Sequence, residues 1–121
     1  DGWLYLGTLD WSRMLPYADR ERWPAWFRRT VDRIGLEKII ERQSGFDLYR
    51  SADGENWLPV TTNGFGNSYN YGLRGLVSTP QGLYIGAVNP FGPRVACCEE
   101  ANWRYRDNPD GGLEIWLGSQ V

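Results

Sequence analysis

The chain has 121 residues, 41% of them hydrophobic and 23% charged, which is the make-up of an ordinary globular domain with a modest core. A formal net charge of -2 gives no general attraction for nucleic acid, and no apolar run approaches the ~20 residues that a membrane helix needs. Histidine is absent, which removes Ser-His-Asp and Cys-His catalysis within the chain and the commonest transition-metal ligand.

Leu4–Thr8 reads as a strand that is apolar on both faces, as expected where a strand is packed between neighbouring sheets. Asp10-Trp11-Ser12 ends it and opens a long insertion over residues 12–44. Within it, Asp19–Gln43 reads as helical, because Trp23, Phe27, Val31 and Ile34 recur at near-helical spacing. Pro24 suits a first helical turn, and Gly35 breaks the run before a second short helix, Leu36–Gln43. Seven basic residues here alternate with Asp19, Glu21, Asp32, Glu37 and Glu41, the pattern of a solvated face with helical ion pairs. The sharper alternative is an anion-binding patch around Arg28, Arg29 and Arg33.

The stretch Gly45–Val60 reads as strand, tight turn, strand. Phe46 and Leu48 share one face, and Asp47 and Tyr49 the other. Ser51-Ala52-Asp53-Gly54 makes the turn, and Pro59 marks Trp57–Val60 as an outer strand because it cannot donate to a ladder. A Gly/Asn-rich loop follows; its Gly64-x-Gly66 lacks the third glycine and the helix of a nucleotide fingerprint. Tyr71–Ser78 and Leu83–Val88 read as strands joined by a turn at Pro80-Gln81-Gly82. The second insertion, residues 89–111, is rich in turn formers and reads as irregular. Adjacent Cys97 and Cys98 read as two free thiols, make a poor zinc set, and do not fix a compartment. Leu113–Gly118 closes the chain as a strand.

Two stretches repeat. LYLGT at residues 4–8 matches LYIGA at 83–87, and GFDLY at 45–49 matches GLEIW at 112–116. Asp47 and Tyr49 thus fall on Glu114 and Trp116. Several short strands per repeat point to propeller blades or a related array. The run Ser51-x-Asp53-Gly54-x-x-Trp57 resembles a shortened Asp-box, the S-x-D-x-G-x-x-W turn of sialidase-like β-propellers, with one residue fewer in its spacing. The wider series LYLGT, GFDLYRSADGENWLPV, NGFGN, GLYIGAVN and GGLEIWLG is similar to a group of bacterial and archaeal β-propellers, most of which have no settled activity.

That resemblance implies a mainly β fold of antiparallel propeller-type blades, about six strands with one helical insertion. Leu4–Thr8, Phe46–Ser51 and Trp57–Val60 would be the second to fourth strands of one blade. Tyr71–Ser78, Leu83–Val88 and Leu113–Gly118 would be the first to third of the next. Propellers typically have about four to eight blades. The chain, a single domain or a fragment, would thus hold about one and a half blades. With Asp1-Gly2 reading as the tail of a turn, it is expected to be either a piece of a larger propeller or a subunit that completes its sheet with sister copies.

Both insertions leave from the end of a second strand, so both should decorate one rim, and loops on a rigid scaffold carry binding residues. The leading expectation is a non-catalytic binding or scaffold module, taking a glycan or protein ligand on that rim, with no cofactor and no metal. A portion of a glycosidase-like propeller enzyme and a self-assembling subunit are the alternatives. The candidate ligand-binding residues are Asp10, Trp11, Tyr69, Tyr71, Arg74, Asn89 and Trp103. Asp10 and Asn89 occupy matching positions and read as turn formers or site residues. Arg74 with Tyr69 or Tyr71 is a thin version of a sialidase's arginine and tyrosine set, and otherwise a structural ion-pair partner. The aromatic rings read as inter-sheet packing or as platforms for sugar stacking.

Overall fold

A computed structural model describes residues 2–119; Asp1 lies outside the described residues. The protein is mainly β, with eight strands among the described residues, all paired antiparallel. Strands β1 (Leu4–Gly7), β2 (Leu48–Ser51) and β3 (Leu58–Thr61) form the first sheet in that order. Strands β4 (Gly72–Thr79), β5 (Gly82–Val88) and β8 (Ile115–Gly118) form the second. The strand order and direction in both sheets are those expected from the sequence.

The repeat is a repeat of register. In the first sheet Leu4 faces Ser51, Leu6 faces Tyr49 and Gly7 faces Leu48. In the second, Leu83 faces Gly118, Ile85 faces Trp116 and Gly86 faces Ile115. The flanking bond repeats too: Thr8 N donates to Asp47 O and Ala87 N to Glu114 O, both at 3.0 Å. Gly45 and Gly112, which open the two copies, both have left-handed backbone, with φ of 97° and 114°.

The core lies between the two sheets. Side chains alternate along a strand, so Phe46 and Leu48 point together off the first sheet. Both are fully buried, against Ile85 and Ala87 of the second sheet. Tyr5, Phe65, Leu73, Leu76 and Leu83 close the cluster. Each buried Phe or Leu contributes about 1.5–3 kcal/mol. The other face of β1 differs from expectation: Leu4 and Leu6 are exposed, so this strand is covered on one side only.

The helical insertion begins with two short 3-10 turns, Ser12–Tyr17 and Arg20–Arg22, before α1 (Ala25–Ile34) and α2 (Leu36–Gln43). Pro24 precedes the first α turn, and Gly35, at φ 93°, separates the helices. Val31 and Ile40 are buried, whereas Ile34 at the end of the apolar stripe is exposed. Arg20 pairs with Asp32, and Arg22 with Asp19 at 3.4 Å, as on a solvated face.

The second insertion is not irregular. Strands β6 (Arg94–Glu99) and β7 (Asn102–Asp107) form a hairpin in full register from Arg94–Asp107 to Glu99–Asn102. This is why the strand count is eight and not about six. Its turn residues Glu100 and Ala101 are both left-handed, at φ 47° and 64°. That geometry normally selects Asn-Gly or Asp-Gly, so the sequence carries no turn signal. Cys97 and Cys98 are free thiols on opposite faces of β6.

The two matching glycines separate backbone strain from steric fit. A Cβ on Gly45 would sit 2.5 Å from the Asn63 carbonyl carbon, whereas one on Gly112 meets nothing within 4 Å. Gly112→Ala is expected to cost only the left-handed backbone strain, ~1–2 kcal/mol. Gly45→Ala adds overpacking and is expected to cost roughly 2–5 kcal/mol. Urea unfolding midpoints of the two variants check the order.

Candidate functional site

The site grows from two equivalent turns. Asp10 Oδ1 accepts from Ser12 N at 2.9 Å, and Asn89 Oδ1 accepts from Phe91 N at 3.2 Å. Each side chain caps its own backbone two residues on, the geometry that Asp and Asn favour in turns. Each turn launches one insertion from the end of β1 or β5.

The two insertions meet. Tyr17 Oη, from the helical one, donates to Ala96 O of the hairpin at 2.7 Å. The Tyr17 ring stacks on Trp103 at 5.5 Å and on Phe91 at 6.4 Å. Phe91 is buried and also touches Tyr69 at 5.5 Å and Tyr71 at 5.9 Å. Trp11 lies tilted against Tyr71 at 6.2 Å. The Arg13 guanidinium sits 4.1 Å above the Tyr69 ring, and its Nη2 donates to Ser68 Oγ at 2.6 Å. Its Nε is buried without a partner among the described residues. Burial raises the Tyr17 phenol above its ordinary pKa, helped by Cys97 and Tyr69 and opposed by Arg13.

Trp11, Tyr69, Tyr71 and Trp103 therefore share one aromatic cluster, with Trp11 and Trp103 exposed at its surface. Asp10 and Asn89 are its roots. Arg74 stands apart from these contacts: it is the extra residue of a bulge between Leu73 and Gly75, and its side chain is exposed. Sequence reasoning missed Arg13, Tyr17 and Phe91. Phe91 had one usable signal, its place two residues after an Asn in a turn.

Beneath the rings lies a buried amide network. Asn70 is fully buried, and its Nδ2 donates to Gly64 O at 3.0 Å and to Glu114 Oε2 at 2.6 Å. Its Oδ1 accepts from Asn89 Nδ2 at 3.1 Å. Asn67 Nδ2 donates to Glu114 Oε1 at 2.8 Å and to Asp110 O at 2.7 Å. Burial would raise the Glu114 carboxyl, but donors from Asn70, Asn67 and Trp116 outweigh it and hold the group below its ordinary range. The matching carboxylate, Asp47, takes a bond from Tyr49 Oη at 3.2 Å, as Glu114 does from Trp116 Nε1 at 3.1 Å.

The Ser51–Trp57 turn is built around two side chains. Ser51 Oγ accepts from Gly54 N at 2.8 Å, and Asp53 Oδ1 accepts from Glu55 N at 2.9 Å and Asn56 N at 2.8 Å. The Asn56 side chain, then its backbone, then Glu55 N hold the Asp53 carboxyl well below the usual range. Between the sheets near this turn lies an open cleft of about 520 Å³, lined in part by Trp3, Tyr5, Arg50 and Leu83. The Arg50 guanidinium lies 4.6 Å from the Trp3 ring there.

Asn70→Ala would leave Asn89 Nδ2 and Glu114 each short of a partner, with an expected cost of ~2–4 kcal/mol in urea unfolding. Because Glu114 is ionised more readily in the fold than in the unfolded chain, its contribution is full above the ordinary glutamate pKa and is lost as pH falls through the lowered value. The stability gap between wild type and Glu114→Gln should therefore close on acidification, as melting curves from neutral to acid pH would show.

Among the described residues, no helix is long and apolar enough to cross a membrane. No family model matches the chain, and no curated protein or solved structure matches it.

Proposed function

We propose that the chain is a non-catalytic binding module, built from two three-stranded, partial blades of propeller type, whose contact surface is the rim where the two insertions meet. The observation that carries this reading is the joining of the insertions by the Tyr17–Ala96 bond and the Tyr17–Trp103 stack. Two excursions of unlike length and structure converge there on one aromatic surface, held by sheets of common register. Exposed indole rings with a cation nearby fit a ligand with flat apolar faces and hydroxyl edges, and a carbohydrate is that ligand class. The nearby carboxylates have structural work: Asp10 caps Ser12, and Glu99 pairs with Arg106 across the hairpin. That favours binding over acid–base catalysis. In the turn at Ser51–Trp57, the stretch that resembles an Asp-box, Ser51 and Asp53 both accept from the backbone.

A glycan array, followed by calorimetric titration of its best ligands, tests the proposal. Trp103→Ala and Trp11→Ala are each expected to weaken binding roughly tenfold, the scale of a lost aromatic stack. Their far-UV circular dichroism should match wild type. A blank array, or hydrolysis of a fluorogenic glycoside by the purified chain, would overturn it.

A further inference from the structure

The contact between the two sheets is heterologous, and both of its halves are present a second time. The first sheet contributes the face that carries Tyr5, Gly7, Phe46 and Leu48. The second sheet contributes its opposite kind of face, with Leu83, Ile85 and Ala87. Through the shared register, Tyr5, Gly7, Phe46 and Leu48 correspond to Tyr84, Gly86, Leu113 and Ile115. These lie on the far side of the second sheet, where Leu113 is 70% exposed and Ile115 66%. Likewise Leu83 and Ile85 correspond to Leu4 and Leu6 on the far side of the first sheet, 54% and 46% exposed. Both uncovered faces keep apolar residues where the covered ones have them.

We propose that the far face of the second sheet receives the far face of the first sheet of a second copy of this chain, head to tail. Leu4 and Leu6 of one copy would seat against Leu113 and Ile115 of the other, as Leu83 and Ile85 seat against Phe46 and Leu48 within the chain. Such a contact repeats from copy to copy, so it generates a ring where the rotation closes and a filament where it does not. The choice of a second copy over an unrelated partner rests on this correspondence of residues, since a foreign surface has no reason to match it. This contact uses the sheet faces alone and is independent of the rim.

Light scattering after size exclusion tests the proposal on the 121-residue chain. Wild type is expected at two or more times its 13.9 kDa mass. Leu6→Asp and Ile115→Asp each spoil a different face, so each alone should be monomeric. Mixed, they retain one good face apiece and should give a one-to-one dimer that grows no further. Far-UV circular dichroism checks folding, and Leu4→Asp with Leu113→Asp is the replacement pair if either variant misfolds. A monomeric wild type at ~100 μM, a concentration well above that at which a specific interface of standard affinity associates, would overturn the proposal. So would an associating Leu6→Asp chain, which would mean that like faces pair.

Discussion

One buried amide holds the arrangement together. Asn70 spends every polar group it has: its main-chain O accepts from Phe46 N, its main-chain N donates to Asn67 O, and its side chain joins Gly64, Glu114 and Asn89. Those partners belong to the entry of β2, the loop between the sheets, the entry of β8 and the root of the hairpin. A hydrophobic contact between two sheets does not fix their mutual rotation, because burial is non-directional. A fully satisfied amide in the dry interior does, since any sliding would strand donors and acceptors at high cost. The rim inherits its geometry from this node. Asn89 is bonded to Asn70 and also caps Phe91, and Phe91 is the ring around which Tyr17, Tyr69 and Tyr71 gather.

The strands were legible because their signals are local and cooperative. Alternation in Phe46–Ser51 put Phe46 and Leu48 on one face, and both are buried. The likeness of residues 4–8 and 83–87 translated into a common pairing register. Gly35 marked the break between the helices, because a positive φ acts at a single residue. Pro24, read as part of a first helical turn of Asp19–Gln43, instead precedes α1 and separates it from the 3-10 turn before it.

The rest was not legible, for equally physical reasons. The β6–β7 hairpin turns through Glu100-Ala101, residues that pay for a left-handed backbone without announcing it. The pairing of β6 with β7 meets that cost, and pairing energy leaves no mark on the turn itself. Arg13 and Tyr17 have no role in their own helical turn; their partners, Ser68, Tyr69 and Ala96, lie more than fifty residues away. Long-range convergence of this kind has no period to read. Asp10, Asn89 and Arg74 were visible as polar residues at strand positions, yet only local bonding separates the two turn-formers from the exposed bulge residue.

The paired roots of the insertions have an evolutionary consequence. Each excursion departs at an Asx-capped turn and re-enters at a left-handed glycine, Gly45 or Gly112. Its internal length and secondary structure are thereby uncoupled from the ladder on either side. The helical insertion over residues 12–44 and the hairpin insertion over residues 89–111 occupy matching sockets. Such sockets let a lineage splice in new cassettes, or duplicate and diverge old ones, while the supporting framework stays untouched.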